Sequence, residues 1–130
     1  MKPHLLLILA AALLLSACSS SNKTRSPYVE VSGDTLKVST VVLGKDVKGF
    51  KGPVPLLVSV SDGRITGIKI LDNNESPRFL NKAADGLLPK WIGLTVRQAS
   101  RLEVDAVSGA TWSSNAIKEN MRLALKELSK

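Results

Sequence analysis

The segment VDAVSGATWSSNAI, Val104 to Ile117, carries hydroxyls at Ser108, Thr111, Ser113 and Ser114 around the small residues Gly109 and Ala110, with a carboxylate at Asp105. Small residues before Thr111 leave its backbone open. A helix beginning directly afterwards, near Ser113, would present backbone N–H groups without partners and the positive end of its dipole. These suit a phosphate, to which Ser113 and Ser114 would add hydroxyl donors. A plainer use of the same residues is helix capping, the ordinary role of Ser and Thr at this place. The rest of the chain narrows the chemistry. The sole histidine, His4, and the sole cysteine, Cys18, both fall in the N-terminal eighteen residues. The later residues therefore supply no imidazole or thiol for zinc, haem, iron–sulfur or copper sites, or for Ser-His and Cys-His nucleophilic catalysis. Asp34, Asp46, Asp62, Asp72, Glu75, Asp85, Glu103 and Asp105 show no spacing that pairs two of them on one element. No catalytic residue and no metal ligand set is expected, so demanding chemistry would have to come from a cofactor.

The N-terminal residues have a different character. Lys2 precedes the apolar run Leu5–Leu15, which ends in Ser16, Ala17 and Cys18. Eleven apolar residues at about 1.5 Å each reach roughly 16 Å, short of a hydrocarbon core of about 30 Å, so the run predicts a signal sequence rather than a membrane span. Its end resembles a bacterial lipoprotein signal, which implies cleavage before Cys18, lipidation of Cys18 and a protein held on the outside of the cell or outer membrane. Several acyl chains anchor stably where one binds marginally. The boundaries that follow are a signal peptide over 1–17, a flexible polar tether over 18–28 containing SSSNKTRSP, and one folded domain over 29–130. Removing Lys2 leaves 17 basic against 11 acidic side chains. Scattered lysines and arginines without interleaved aromatics, behind an export signal, argue against nucleic acid. An ordinary solvated surface accounts for the balance, with anionic lipid headgroups or an acidic partner as its other uses.

The elements that would position the hydroxyl segment follow from periodicity. LKVSTVVLG and VPLLVSVSDGRITGIKIL are rich in β-branched residues, and Asp62-Gly63 in the second suits a two-residue hairpin turn. Val58 and Val60 alternate, but Ile65 is out of phase with Ile68 and Ile70, so the strand must absorb one residue near Thr66-Gly67, and Gly67 is the expected bulge. SPRFLNKAADGLL places Phe79, Leu80, Ala83, Ala84 and Leu87 at helical spacing after Pro77. A last helix from about Ser113 to Leu128 carries Ile117, Met121, Ala124, Leu125 and Leu128 on one stripe. The expected class is α+β: a small antiparallel sheet with helices packed on one face.

Three pieces, in order, resemble an FMN-binding domain of the kind flavinylated outside the cytoplasm. GFKGPVPLLVSVSDGRITGIKI resembles the family's opening strand, hairpin and second strand; NNESPRF its Glu-Thr-Pro segment; and DAVSGATWSS its modification motif. The resemblance implies that Thr111 is the acceptor of a covalent FMN, joined by a phosphoester that a separate flavin transferase forms from FAD with Mg²⁺. It maps the family's Asp, Ser-Gly-Ala run and acceptor onto Asp105, Ser108, Gly109, Ala110 and Thr111. It also matches Glu75 and Ser76 to the family's acidic and hydroxyl positions. Glu75 could accept hydrogen bonds from flavin or from nearby backbone N–H groups. Ser76 stands where threonine is common, and Trp112 where a smaller apolar residue is. Trp112 and Trp91 are each candidate flavin contacts or simply core. The expected function is extracytoplasmic electron transfer with an undetermined donor and acceptor. The alternatives are a non-redox envelope scaffold of the same fold, and an enzyme reducing a small molecule, for which no acid/base pair is evident.

Overall fold

A computed structural model describes residues 26–130; the expected signal peptide, Cys18 and most of the expected tether lie outside these residues. Four strands form an antiparallel meander in the order β1 (Val29–Ser32), β2 (Thr35–Ser39), β3 (Leu56–Ser61) and β4 (Arg64–Ile70). Leu56, Val58 and Val60 are buried while Leu57, Ser59 and Ser61 are half-exposed, the two-residue period of a sheet covered on one face. The β3–β4 turn is Asp62-Gly63, both at positive φ (51° and 75°), which matches the twist of the strands it joins. Ser59 pairs with Gly67 and Val60 with Ile65, so the extra residue is Thr66 and not the expected Gly67, which keeps its place in the ladder. That bulge puts Ile65, Ile68 and Ile70 opposite Val60, Val58 and Leu56 on the covered face.

Three helices cover that face: α1 (Pro77–Trp91), α2 (Val96–Arg101) and α3 (Thr111–Leu128). The sequence-based class, an antiparallel sheet with helices on one side, is the class observed. α3 lies on β2 and β3, and both α1 and α2 pack on α3. Its Ile117, Met121, Ala124 and Leu125 are buried with Val38, Leu56, Val58, Leu80, Leu87 and Trp91. Full burial of such a side chain contributes about 1.5–3 kcal/mol.

Several local expectations differ from the structure. The first apolar run ends as a strand at Ser39, because Thr40 turns inward and its Oγ1 accepts the Leu56 N–H at 2.8 Å. Val41 and Val42 therefore sit in a turn, exposed. Helix α2 carries little apolar periodicity, and strand β1, Val29-Glu30-Val31-Ser32, alternates over only four residues, so neither is among the expected elements. α2 is held by a capping box, in which the Thr95 hydroxyl accepts the Gln98 N–H and the Gln98 side chain accepts the Thr95 N–H. α1 continues through Pro89 to Trp91. Its buried stripe is Leu80, Ala83, Leu87 and Trp91, which rotates Phe79 out to solvent beneath the Arg78 guanidinium, 5.8 Å from the ring centroid. α3 starts at Thr111, two residues before the expected place. No helix among the described residues is long and apolar enough to cross a membrane.

Candidate functional site

The site is assembled at the N-terminus of α3. Ala110 is the N-cap, and no side chain caps the helix. Capping is therefore not what the hydroxyls of this segment do. Ser114 is buried and its Oγ accepts the Val107 N–H at 2.9 Å, which fastens the incoming loop to the helix. Ser113 is buried too, and its hydroxyl donates to Glu75 Oε1 at 3.2 Å. Both hydroxyls expected to face a phosphate are thus engaged within the chain. Thr111, at the first helical position, is exposed, as are Ser108 and Gly109, while Ala110 is buried beneath them. Gly109 has φ 82°, which an L residue adopts only with strain, and the Ala110 N–H closes the turn on the Val107 carbonyl at 2.9 Å. A Cβ at Gly109 would stand 2.9 Å from Lys82 Nζ, so the glycine also admits the ammonium of α1 to the loop before Thr111.

Glu75 organises the other side. It is buried, and its oxygens accept the backbone N–H groups of Phe50 (2.8 Å, Oε1) and Lys51 (2.5 Å, Oε2) besides the Ser113 hydroxyl. An Asx turn presents it: the Asn73 side chain accepts the Glu75 N–H at 2.9 Å. The segment it grips is tight, with Lys48 bridged to Pro53 and the Gly49 N–H donating to the Gly52 carbonyl at 2.8 Å. A Cβ at Gly49 would overlap Glu75 Oε1, so only glycine allows this approach. The grip fixes Phe50 beside α3. Its ring meets that of Trp112 edge to face, with centroids 6.4 Å apart. Both rings are open to solvent, Phe50 at 72% and Trp112 at 65% exposure.

The remaining expected residues lie less centrally. Ser76 is the N-cap of α1 but makes no side-chain cap bond. Asp105 is exposed and lines a groove of about 950 Å³ along α3 with Trp91, Asn115, Lys118 and Arg122. Neither Thr111 nor Trp112 lines that groove. Trp91 is in the core. Two residues of the site, Phe50 and Lys82, do not stand out in the sequence. Phe50 lies within the GFKG run, whose glycines hint at a close approach, whereas no local signal marks Lys82.

The family described as the FMN-binding domain matches residues 49–126. A component of the Na(+)-translocating ferredoxin:NAD(+) oxidoreductase complex of Acetobacterium woodii, its G subunit, is 30% identical over 110 residues, covering 75% of this chain. The chain spans about half the length of that relative, 49%. No solved structure matches the chain. The residues present fit such a cofactor. An uncapped helix end with an ammonium beside it suits the phosphate, and an exposed aromatic pair next to Thr111 suits a flat apolar ring.

Proposed function

Because the chain belongs to the FMN-binding domain family, we propose that it is an extracytoplasmic electron-transfer flavoprotein, tethered by lipid on Cys18 and carrying FMN as a phosphoester on Thr111. The observation that carries this reading is the placement of Thr111: exposed, first in α3, and on a helix that no side chain caps. A hydroxyl there is spare for chemistry. In the proposed transfer its oxygen bonds to the FMN-side phosphorus of FAD, the pyrophosphate P–O bond breaks, AMP leaves, and the hydroxyl proton passes to a base of the transferase. The backbone N–H groups of the first α3 turn and Lys82 then face the phosphate charge. Exposed Asp105 and Ser108 remain available for recognition by the transferase, and Ser76 borders the Glu75 anchor.

Bound there, FMN would supply one- and two-electron transfer, and the chain would set its position and surroundings. Covalency has a thermodynamic use outside the cell. A reversibly bound cofactor is retained only while the free pool exceeds its dissociation constant, and that pool is dilute there. The relative's name, which places it in a ferredoxin:NAD(+) oxidoreductase complex, supports a place in an electron-transfer chain. The intact mass of natively produced, membrane-extracted protein tests the reading. A mass equal to the lipidated chain plus one FMN phosphoester is expected, and a lipidated but unflavinylated chain would favour the envelope scaffold instead.

A further inference from the structure

The pairing of Phe50 with Trp112 is costly unless something uses it, because two large rings left 72% and 65% exposed give up most of the gain from burial. Nor is the exposure that of a loose loop. The Phe50 N–H is held by Glu75 Oε1 at 2.8 Å, Gly49 closes on that carboxylate, and the same oxygen accepts Ser113 from the first turn of α3. Trp112 lies in that turn, directly after Thr111. One buried carboxylate therefore fixes both rings relative to the acceptor, and it fixes them outward.

From this arrangement we propose that Phe50 and Trp112 form the wall on which the isoalloxazine ring of the Thr111-linked flavin rests. The two are positioning residues, with Glu75 as the buried strut that holds the wall. The proposal rests on the flavinylation reading above. A phosphoester on Thr111 secures the cofactor at its phosphate end only, and the ribityl chain leaves the ring system free to swing. An aromatic pair standing beside the attachment point gives that ring an apolar and polarisable surface to lie against. The wall is one-sided among the described residues, so the other face of the ring stays open to a redox partner, as an electron carrier needs. The edge-to-face geometry lets the indole and the phenyl ring contact the flavin at different angles rather than as one flat stack.

The test uses protein loaded by co-expression with an exported flavin transferase. Wild type, Trp112→Leu and Phe50→Ala are compared by flavin per chain from intact mass, flavin emission per label, and flavin fluorescence anisotropy. Both substituted side chains are exposed, so folding is expected to be retained, and far-UV circular dichroism checks it. An indole in contact quenches flavin emission, so wild type should brighten several-fold on denaturation. Trp112→Leu should be that bright while folded. Phe50→Ala keeps the indole but should lower the anisotropy, because the ring has lost part of its seat. Labelled wild type as bright folded as denatured, or a Trp112→Leu protein as dim as wild type, would overturn the wall while leaving the covalent site intact. Absence of label in wild type would instead overturn the flavinylation reading, and this proposal with it.

Discussion

Glu75 shows how one side chain can be structural in its contacts and functional in its effect. Both oxygens are occupied by N–H groups of the Phe50 segment and by the Ser113 hydroxyl, so it shapes the site from beneath. Glu75→Ala leaves two part-buried backbone donors and the buried Ser113 hydroxyl without partners. We expect a loss of about 2–4 kcal/mol in urea unfolding, since each unsatisfied buried group costs about 1–3 kcal/mol and some will find water. Ser113→Ala removes only the weakest of these bonds and should cost about 1 kcal/mol, with flavin labelling retained. The two uses the sequence leaves open for Glu75, flavin or backbone N–H groups, are decided by the turn between Lys48 and Pro53, whose glycines hint at a close approach without naming its partner. The exposed Thr111 is legible, because small residues before a hydroxyl specify an open turn by their chemistry. The engagement of Ser113 and Ser114 is not. It depends on the helix starting two residues early, which turns both hydroxyls inward.

At the scale of elements, the β3–β4 hairpin is the most readable part of the chain. A period of two that breaks between Ile65 and Ile68 has one physical resolution, an inserted residue, and Thr66 is that residue. Deleting Thr66 and Gly67 together would join Ile65 directly to Ile68 and force Ile68 and Ile70 towards the solvated face, because a one-residue slip in phase moves every later side chain across the sheet. Unfolding by urea should then show a loss of about 2–4 kcal/mol. β1 and α2 escape a pattern-based reading for a related reason. Each is short, and each is held by neighbours or caps rather than by an apolar stripe: β1 by its pairing with β2, α2 by the Thr95–Gln98 box. Phe79 misleads because a stripe judged from spacing alone can rotate by one position, and packing chose Leu80, Ala83, Leu87 and Trp91.

At the scale of the molecule, the chain enters the fold at the end of α3 opposite Thr111. The Ser26 hydroxyl donates to Glu127 Oε1 at 2.6 Å, and Lys130 Nζ lies 2.8 Å from Glu127 Oε2. With about 1.5 Å per residue, Thr111 and Glu127 are roughly 24 Å apart along the helix. Ser26, where the described residues begin, and the proposed flavin are thus at opposite ends of α3, and Cys18→Ala, far from Thr111 in the sequence, should release the protein from membranes in detergent partitioning without preventing flavinylation. Persistent flotation of that variant would contradict the lipoprotein reading. The Glu127 contacts also set an acid limit. Hydrogen bonds from Lys130 and Ser26 hold its carboxyl below the ordinary carboxylate range. Their contribution to stability is therefore present above the unfolded value of about 4.3 and is lost as pH falls through the folded one. Thermal unfolding followed from about pH 7 to pH 3 should show Glu127→Gln less stable at neutrality and less sensitive to acid than wild type. The central claim is that the whole molecule exists to carry one flavin on Thr111, and the most direct measurement is in-gel flavin fluorescence after denaturing electrophoresis of chains co-expressed with an exported flavin transferase. Wild type should give a fluorescent band, Thr111→Ser a weaker one because the hydroxyl oxygen remains, and Thr111→Ala none. A band of wild-type intensity from Thr111→Ala would contradict the account.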